Sequence, residues 1–204
     1  MNIRIIFTFI LISVTFAQWP SPKFGKKAPL GITIFTGINQ PNIVYNTSST
    51  QNSISTTPLS SLHFGIEKSI KNTMSIGARY TVRGAIQSET ISGTNKYNYL
   101  NSYILKSFIN IKNIYILAGG EIGIFIDGEF DSTICDDNEC VSYEEVTSPI
   151  DYGIILGSGI NLGKNIDCRL TYYYGLRNVI DRSSFADDLN FKHRDLQILI
   201  GYKF

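Results

Sequence analysis

The sequence predicts an all-β fold: an eight-stranded antiparallel up-and-down transmembrane β-barrel with long external loops and short periplasmic turns. Three observations predict it. Eight segments of about ten residues alternate apolar and polar side chains, the period of a strand. The connections between them alternate strictly between short and long. An export leader precedes them all.

The leader comes first in the chain. Arg4 gives a short positive start, residues 5–17 form an apolar run, and small Ala17 followed by polar Gln18 suits a cleavage site. The run is too short to span a membrane, which takes roughly 20 apolar residues. Residues 1–17 are therefore expected to be a signal peptide, 18–28 a short periplasmic segment and 29–204 the barrel. No Cys follows the cut, so an amino-terminal lipid anchor has no attachment point.

The strands follow. In "LHFGIEKSI", Leu62, Phe64 and Ile66 alternate with His63, Gly65 and Glu67. In "MSIGARYTVRG", Met74, Ile76, Ala78, Tyr80 and Val82 share one face. Ile114, Ile116, Ala118, Ile122 and Ile124 do so in "NIYILAGGEIGIFI", and Ile150, Tyr152, Ile154, Leu156, Ile160 and Leu162 in "IDYGIILGSGINL". "PLGITIFTGIN", "NIDCRLTYYYG" and "DLQILIGYKF" behave likewise, while "YNYLNSYILKSFINI" is a strand whose register the pattern leaves open. Gly-, Thr- and Tyr-rich segments of this kind make poor helices.

"KSIKNT", "KN" and "GKN" are tight turns. "QPNIVYNTSSTQNSISTTP", "AIQSETISGTNK", "DGEFDSTICDDNECVSYEEVTSP" and "LRNVIDRSSFADDLN" are long. In an up-and-down barrel this order gathers every short turn at one end, the asymmetry of outer-membrane barrels. Charged residues make up 17%, below the usual quarter for soluble domains, and there are twelve Tyr and twelve Phe. A net charge of +1 gives no electrostatic footprint for nucleic acid.

A membrane barrel turns its apolar face to lipid. The other face then points inward, and it carries Gly31, Gly65, Gly77, Gly119, Gly123, Gly153, Gly157, Gly159 and Gly201 beside a set of charges: Glu67, Arg79, Arg83, Glu121, Asp151, Asp167, Arg169 and Asp195. Eight strands enclose a space just wide enough for side chains, so small inward residues make steric sense. Gly120 falls on the lipid face without evident reason. Tyr202 and the terminal Phe204 are placed at the periplasmic interface, where aromatic girdles lie, and Tyr80, Tyr172 and Tyr174 fit interface positions too.

"SPIDYGIILGSGINLGKNIDCRLTYYYGLRNV", the segments "YTVRGA" and "YNYLNSYILKSF", and the terminal "ILIGYKF" resemble the PorT-like, OmpA-like outer-membrane β-barrel domain family over nearly all of the chain after the leader. The resemblance implies an eight-stranded barrel inserted by the barrel-assembly machinery, which reads the last strand and its terminal aromatic. It implies no catalytic residues, and fold analogy carries little functional weight.

The inward charges have two readings. Opposite charges in a narrow lumen pair into a plug of salt bridges, because an unpaired buried charge is costly; alternatively they line a narrow path for small solutes. His63 and His193, with Asp151 and Asp195 at similar depth, allow a distant third reading, a rim hydrolase with His as general base. No G-x-S-x-G, H-E-x-x-H or paired Cys/His spacing supports it, and no metal or cofactor is expected. Asp127, Glu129 and Asp131 have the spacing that opens a calcium loop, but Ser132 stands where such a loop needs Gly and its twelfth position holds no Glu. Cys135 and Cys140, close together in an exported chain, are expected to form a disulfide, and Cys168 to face lipid as a small apolar residue. The expected function is non-enzymatic: a structural or partner-binding barrel acting through its external loops. Its expected partners are outer-membrane lipid, the assembly machinery during insertion and an envelope or secretion-associated protein complex.

Overall fold

The computed structural model describes residues 31–47, 55–71, 73–88, 91–111, 113–136, 139–142, 148–179 and 189–204. The expected signal peptide and the segment after it lie outside these residues. Period-two alternation becomes strand throughout: β1 (Ile32–Thr47), β2 (Ser55–Pro58), β3 (Ser61–Lys71), β4 (Met74–Ser88), β5 (Ile91–Ile111), β6 (Ile114–Asp136), β7 (Glu139–Ser142), β8 (Ile150–Leu162), β9 (Ile166–Gly175) and β10 (Leu189–Lys203). β1, β3, β4, β5, β6, β8, β9 and β10 pair antiparallel in that order, and β10 pairs β1. The eight strands close into a barrel. The short β2 and β7 add to β4 and β6 at the long-loop end.

The register fixes the barrel's shape. From Asn42 of β1 it runs through Arg194, Tyr174, Ile154, Gly120, Ile104, Ile76 and Lys68 and re-enters β1 at Ile32. The return falls ten residues from the start (42 against 32), so the shear is ten. With ordinary strand spacings this gives a tilt of about 40°, within the range for closed barrels.

The faces divide as their chemistry requires. Leu62, Phe64, Ile104, Phe108, Ile198 and Ile200 stand exposed on the outside, Leu62 by 73%. Inside, Arg83, Tyr99, Asn101, Tyr173, His193, Asp195 and Gln197 are each 0% exposed. The core of this protein is its lumen.

Four findings go beyond the sequence pattern. First, the barrel strands run from 10 to 23 residues. Residues 40–47, 85–88, 91–96, 127–136 and 189–190, expected in loops, continue the ladder instead. Apolar alternation stops where lipid stops, but hydrogen bonding between neighbouring strands need not. Second, β5 acquires a register: Tyr97, Tyr99, Asn101, Tyr103 and Leu105 face inward and are buried.

Third, a β-bulge interrupts β5–β6. Phe125 pairs with Tyr99 and Asp127 with Asn98, leaving Ile126 over. Below it the odd-numbered Tyr115, Leu117 and Glu121 face the lumen. Above it the parity inverts, and Asp127 and Glu129 are exposed. Fourth, Gly31 precedes β1 with φ 63° and is not an inner-face strand residue. Gly84 has φ 145°, a conformation that side chains rarely adopt. It sits where β4 changes partner from β3 to β2, between the pairs Thr81–His63 and Ala85–Pro58. In that gap Asn39 Nδ2 and Ser61 Oγ donate to Val82 O, at 2.8 and 3.0 Å.

Candidate functional site: a filled, charged lumen

The structure buries Glu67, Arg79, Arg83, Glu121, Asp151, Asp167, Arg169 and Asp195 within the barrel, in two tiers. The upper tier, toward the long loops, centres on Arg83 of β4. Its Nε donates to Asp195 Oδ2 of β10 at 2.8 Å, Nη1 to Asp151 of β8 and Nη2 to Glu121 of β6. One guanidinium thus reaches across the lumen to three other strands. Its plane lies over Tyr173, 3.8 Å from Cζ to the ring centroid. Arg79 of β4 pairs with the second oxygen of Glu121 and donates through Nη1 to Gln197 Oε1 at 2.8 Å, which also accepts from Thr171 Oγ1 at 2.9 Å.

The lower tier, toward the short turns, centres on Arg169 of β9. Nη1 and Nη2 form a two-pronged pair with Glu67 of β3 at 2.7 and 2.9 Å. Nη2 also reaches Asp167 Oδ2 at 3.0 Å, and Nε donates to the Tyr115 hydroxyl at 2.8 Å. That hydroxyl in turn donates to Asp167. Tyr103 donates to Glu67 at 3.3 Å, and Lys203 lies 3.3 Å from Asp167. A cavity of about 180 Å³ opens beneath this tier, with Glu67, Tyr115, Asp167, Arg169 and Lys203 in its wall.

Sequence reasoning missed the aromatic half of the lumen. Tyr97, Tyr99, Tyr103, Tyr115, Tyr173 and Phe35 are buried there. Tyr115 and Tyr173 could have been found from strand parity; Tyr99 and Tyr103 could not, since β5 had no legible register. These rings explain the glycines. A methyl group on Gly77 would overlap the Tyr103 ring, one on Gly159 the Tyr115 ring, one on Gly201 the Phe35 ring, and one on Gly153 would lie 2.7 Å from Tyr173 Cζ. Each of these glycines is the seat of a ring from another inward position.

The histidines are not at a wet rim. His193 Nδ1 lies 3.0 Å from Asp151 Oδ2, and the edges of Tyr97 and Tyr99 pack on its ring with centroids 5.4 and 5.6 Å away. It is 0% exposed and His63 1%. Among the described residues no group of three or more His, Cys, Asp or Glu could hold a metal. Asp127 accepts from Asn98 at 2.6 Å and Glu129 pairs with Lys96 at 2.9 Å, both on the outer surface. In the β6–β7 ladder Cys135 stands opposite Cys140.

Comparisons with known proteins agree with this architecture. No curated protein matches the sequence. Among solved structures the chain is similar to Neisserial surface protein A, with a TM-score of 0.56 and 14% identity over 85% of this chain and 97% of that one. It is also similar to the outer membrane protein OprG of Pseudomonas aeruginosa, with a TM-score of 0.52 and 10% identity over 85% and 96%. At such identities the likeness concerns the fold. In sequence, the profile of the outer membrane protein beta-barrel domain matches residues 16–181. The closed eight-stranded barrel with its apolar exterior therefore belongs, as the sequence does, to the outer membrane protein beta-barrel domain family of bacteria.

Proposed function

We propose that this is a non-enzymatic outer-membrane barrel whose lumen is a structural plug and whose work is done by the parts that rise above the lipid, as a scaffold or as the binding surface for an envelope partner. The observation that carries the reading is the Arg83 hub, which ties β4, β6, β8 and β10 together across the lumen with no exposure of the guanidinium. A solute path would have to break those pairs, and an unpaired charge left behind is costly. The same enclosure argues against a rim hydrolase, because a general base must reach its substrate within hydrogen-bonding distance, and His193 is sealed among tyrosines. Above the bulge, β5 and β6 carry polar and acidic residues outward, which suits a surface in water.

Export with loss of residues 1–17 and insertion by the barrel-assembly machinery belong to this reading. So does a Cys135–Cys140 disulfide. Residues directly opposed in an antiparallel pair have Cα atoms about 4.5–5.5 Å apart, within the range a disulfide spans.

Planar-bilayer recording of the refolded barrel tests the plug. The expected record is silent for the wild type. Discrete openings whose size changes in Arg79→Gln or Glu121→Gln would replace this reading with a narrow channel.

A further inference from the structure

The outer face of β10 changes character partway up. From the short-turn end, Tyr202, Ile200, Ile198 and Leu196 are exposed apolar residues. The next outward positions are Arg194 and Lys192. Eight residues of a strand tilted by about 40° rise roughly 20 Å, so Arg194 stands near the upper edge of an apolar band about 25 Å tall. A cation there faces the headgroups of the outer leaflet.

Arg194 is not free to swing into water. Its Cζ lies 3.5 Å from the centroid of the Tyr174 ring, and Nη1 donates to Gly175 O and His193 O, both at 2.7 Å. Tyr174 is its cross-strand partner on β9. Two carbonyls and an aromatic face thus hold the guanidinium in one plane, using one of its three nitrogens. Among the described residues Nε and Nη2 have no partner. The outward residues beside it on β1 and β9, namely Gln40, Asn42, Val44, Tyr172, Tyr174 and Leu176, include no acid. Lys192, half-buried, adds a second cation one step higher on the same face. Across the barrel, the acids on the outer face of β6 already have partners, Glu129 in Lys96 and Asp127 in Asn98.

We propose that Arg194, oriented by Tyr174 and assisted by Lys192, binds the phosphate of a lipid headgroup in the outer leaflet. A planar guanidinium with one edge engaged and the other presented matches two phosphate oxygens. The same chemistry serves a phosphorylated glycolipid or a glycerophospholipid.

Native mass spectrometry of the refolded protein in detergent separates the cases. Four probes are titrated: diphosphorylated lipid A, phosphatidic acid, diacylglycerol and inorganic phosphate. Wild type is expected to hold lipid A and phosphatidic acid at least tenfold more tightly than diacylglycerol, and the tighter of the first two names the source. Arg194→Gln removes that preference, while Arg194→Lys and Tyr174→Leu reduce it in part by losing the fork or its orientation. Competition by inorganic phosphate at lipid-like concentration would assign the site to free phosphate, and that result overturns the headgroup. Equal lipid binding by wild type and Arg194→Gln overturns the proposal outright. If Arg194→Gln fails to fold, unchanged preference in both Arg194→Lys and Tyr174→Leu does the same.

Discussion

Along β8 successive residues alternate between two solvents. Ile150, Tyr152, Ile154 and Leu156 face lipid, each between 37% and 52% exposed, while Asp151, Gly153 and Ile155 between them face the lumen and are buried. The outer row meets fluid chains that adapt to any apolar shape. The inner row meets fixed neighbours. Sequence constraint therefore concentrates on the inside, the reverse of a soluble sheet whose polar face is the tolerant one. The lumen positions hold the fold's few mutually dependent residues, and the lipid positions hold many interchangeable ones.

The largest expected effect follows from Arg83. Arg83→Met keeps an apolar stem of similar length but removes the shared cation of three buried carboxylates; Glu121 keeps Arg79 and Asp151 keeps His193, while Asp195 loses the one ion pair it makes among the described residues. Breaking a buried ion pair by removing one partner costs about 3–5 kcal/mol. Urea unfolding of the refolded barrel in vesicles, followed by circular dichroism, should show a loss of that size. A loss below about 1 kcal/mol would mean that the lumen is wet and as tolerant as the exterior.

How much of this was legible follows from the same contrast. Alternation reports which face a residue occupies, and it assigns Arg83, Glu121, Asp151 and the other five charges to the inward face. It also gave the strand count, because lipid enforces the apolar period in seven of the eight barrel segments. It did not reach β5, where Asn98 and Ser102 interrupt the outer row while Tyr97, Tyr99 and Tyr103 enrich the inner one, so the two faces have nearly equal hydropathy. Nor did it show the ladder continuing past the lipid, since in water neither face of residues 127–136 needs to be apolar. The bulge at Ile126 was invisible for a related reason: one extra residue shifts the phase once, which mimics the end of a strand. Which charges pair could not be read either. Arg83 meets residues 38, 68 and 112 positions away, separations set by the shear and not by any local motif.

A smaller effect is expected in the lower tier, and it sharpens the contrast within the lumen. Arg169→Met removes the two-pronged pair with Glu67, yet the carboxylates keep other partners. Glu67 retains the Tyr103 hydroxyl, and Asp167 retains Tyr115 and Lys203. The adjoining cavity of about 180 Å³ gives this tier room for solvent that the Arg83 hub lacks. The loss should be roughly 2 kcal/mol, the scale of one charged hydrogen bond removed with its neighbours still satisfied. Equal losses for Arg83→Met and Arg169→Met in the same urea titration would show that the tiers are energetically alike.

The smallest pair of effects tests the two faces with one identical change. Gly159→Ala places a methyl on the Tyr115 ring. That ring cannot move aside freely, because its hydroxyl is held between Asp167 and Arg169, so the substitution should cost about 1–3 kcal/mol as overpacking. Gly120→Ala places the same methyl in lipid, where the nearest atom is Gly153 O at 3.9 Å. Its effect should stay within about 0.5 kcal/mol of zero, and a slight gain is the natural sign, since alanine has less backbone freedom to lose on folding. Gly120 is an exception to the inward-facing rule, and space alone does not require a glycine there. If Gly120→Ala proves as costly as Gly159→Ala, something other than fluid lipid covers that point of the exterior, and the tolerant outer face must be redrawn around it.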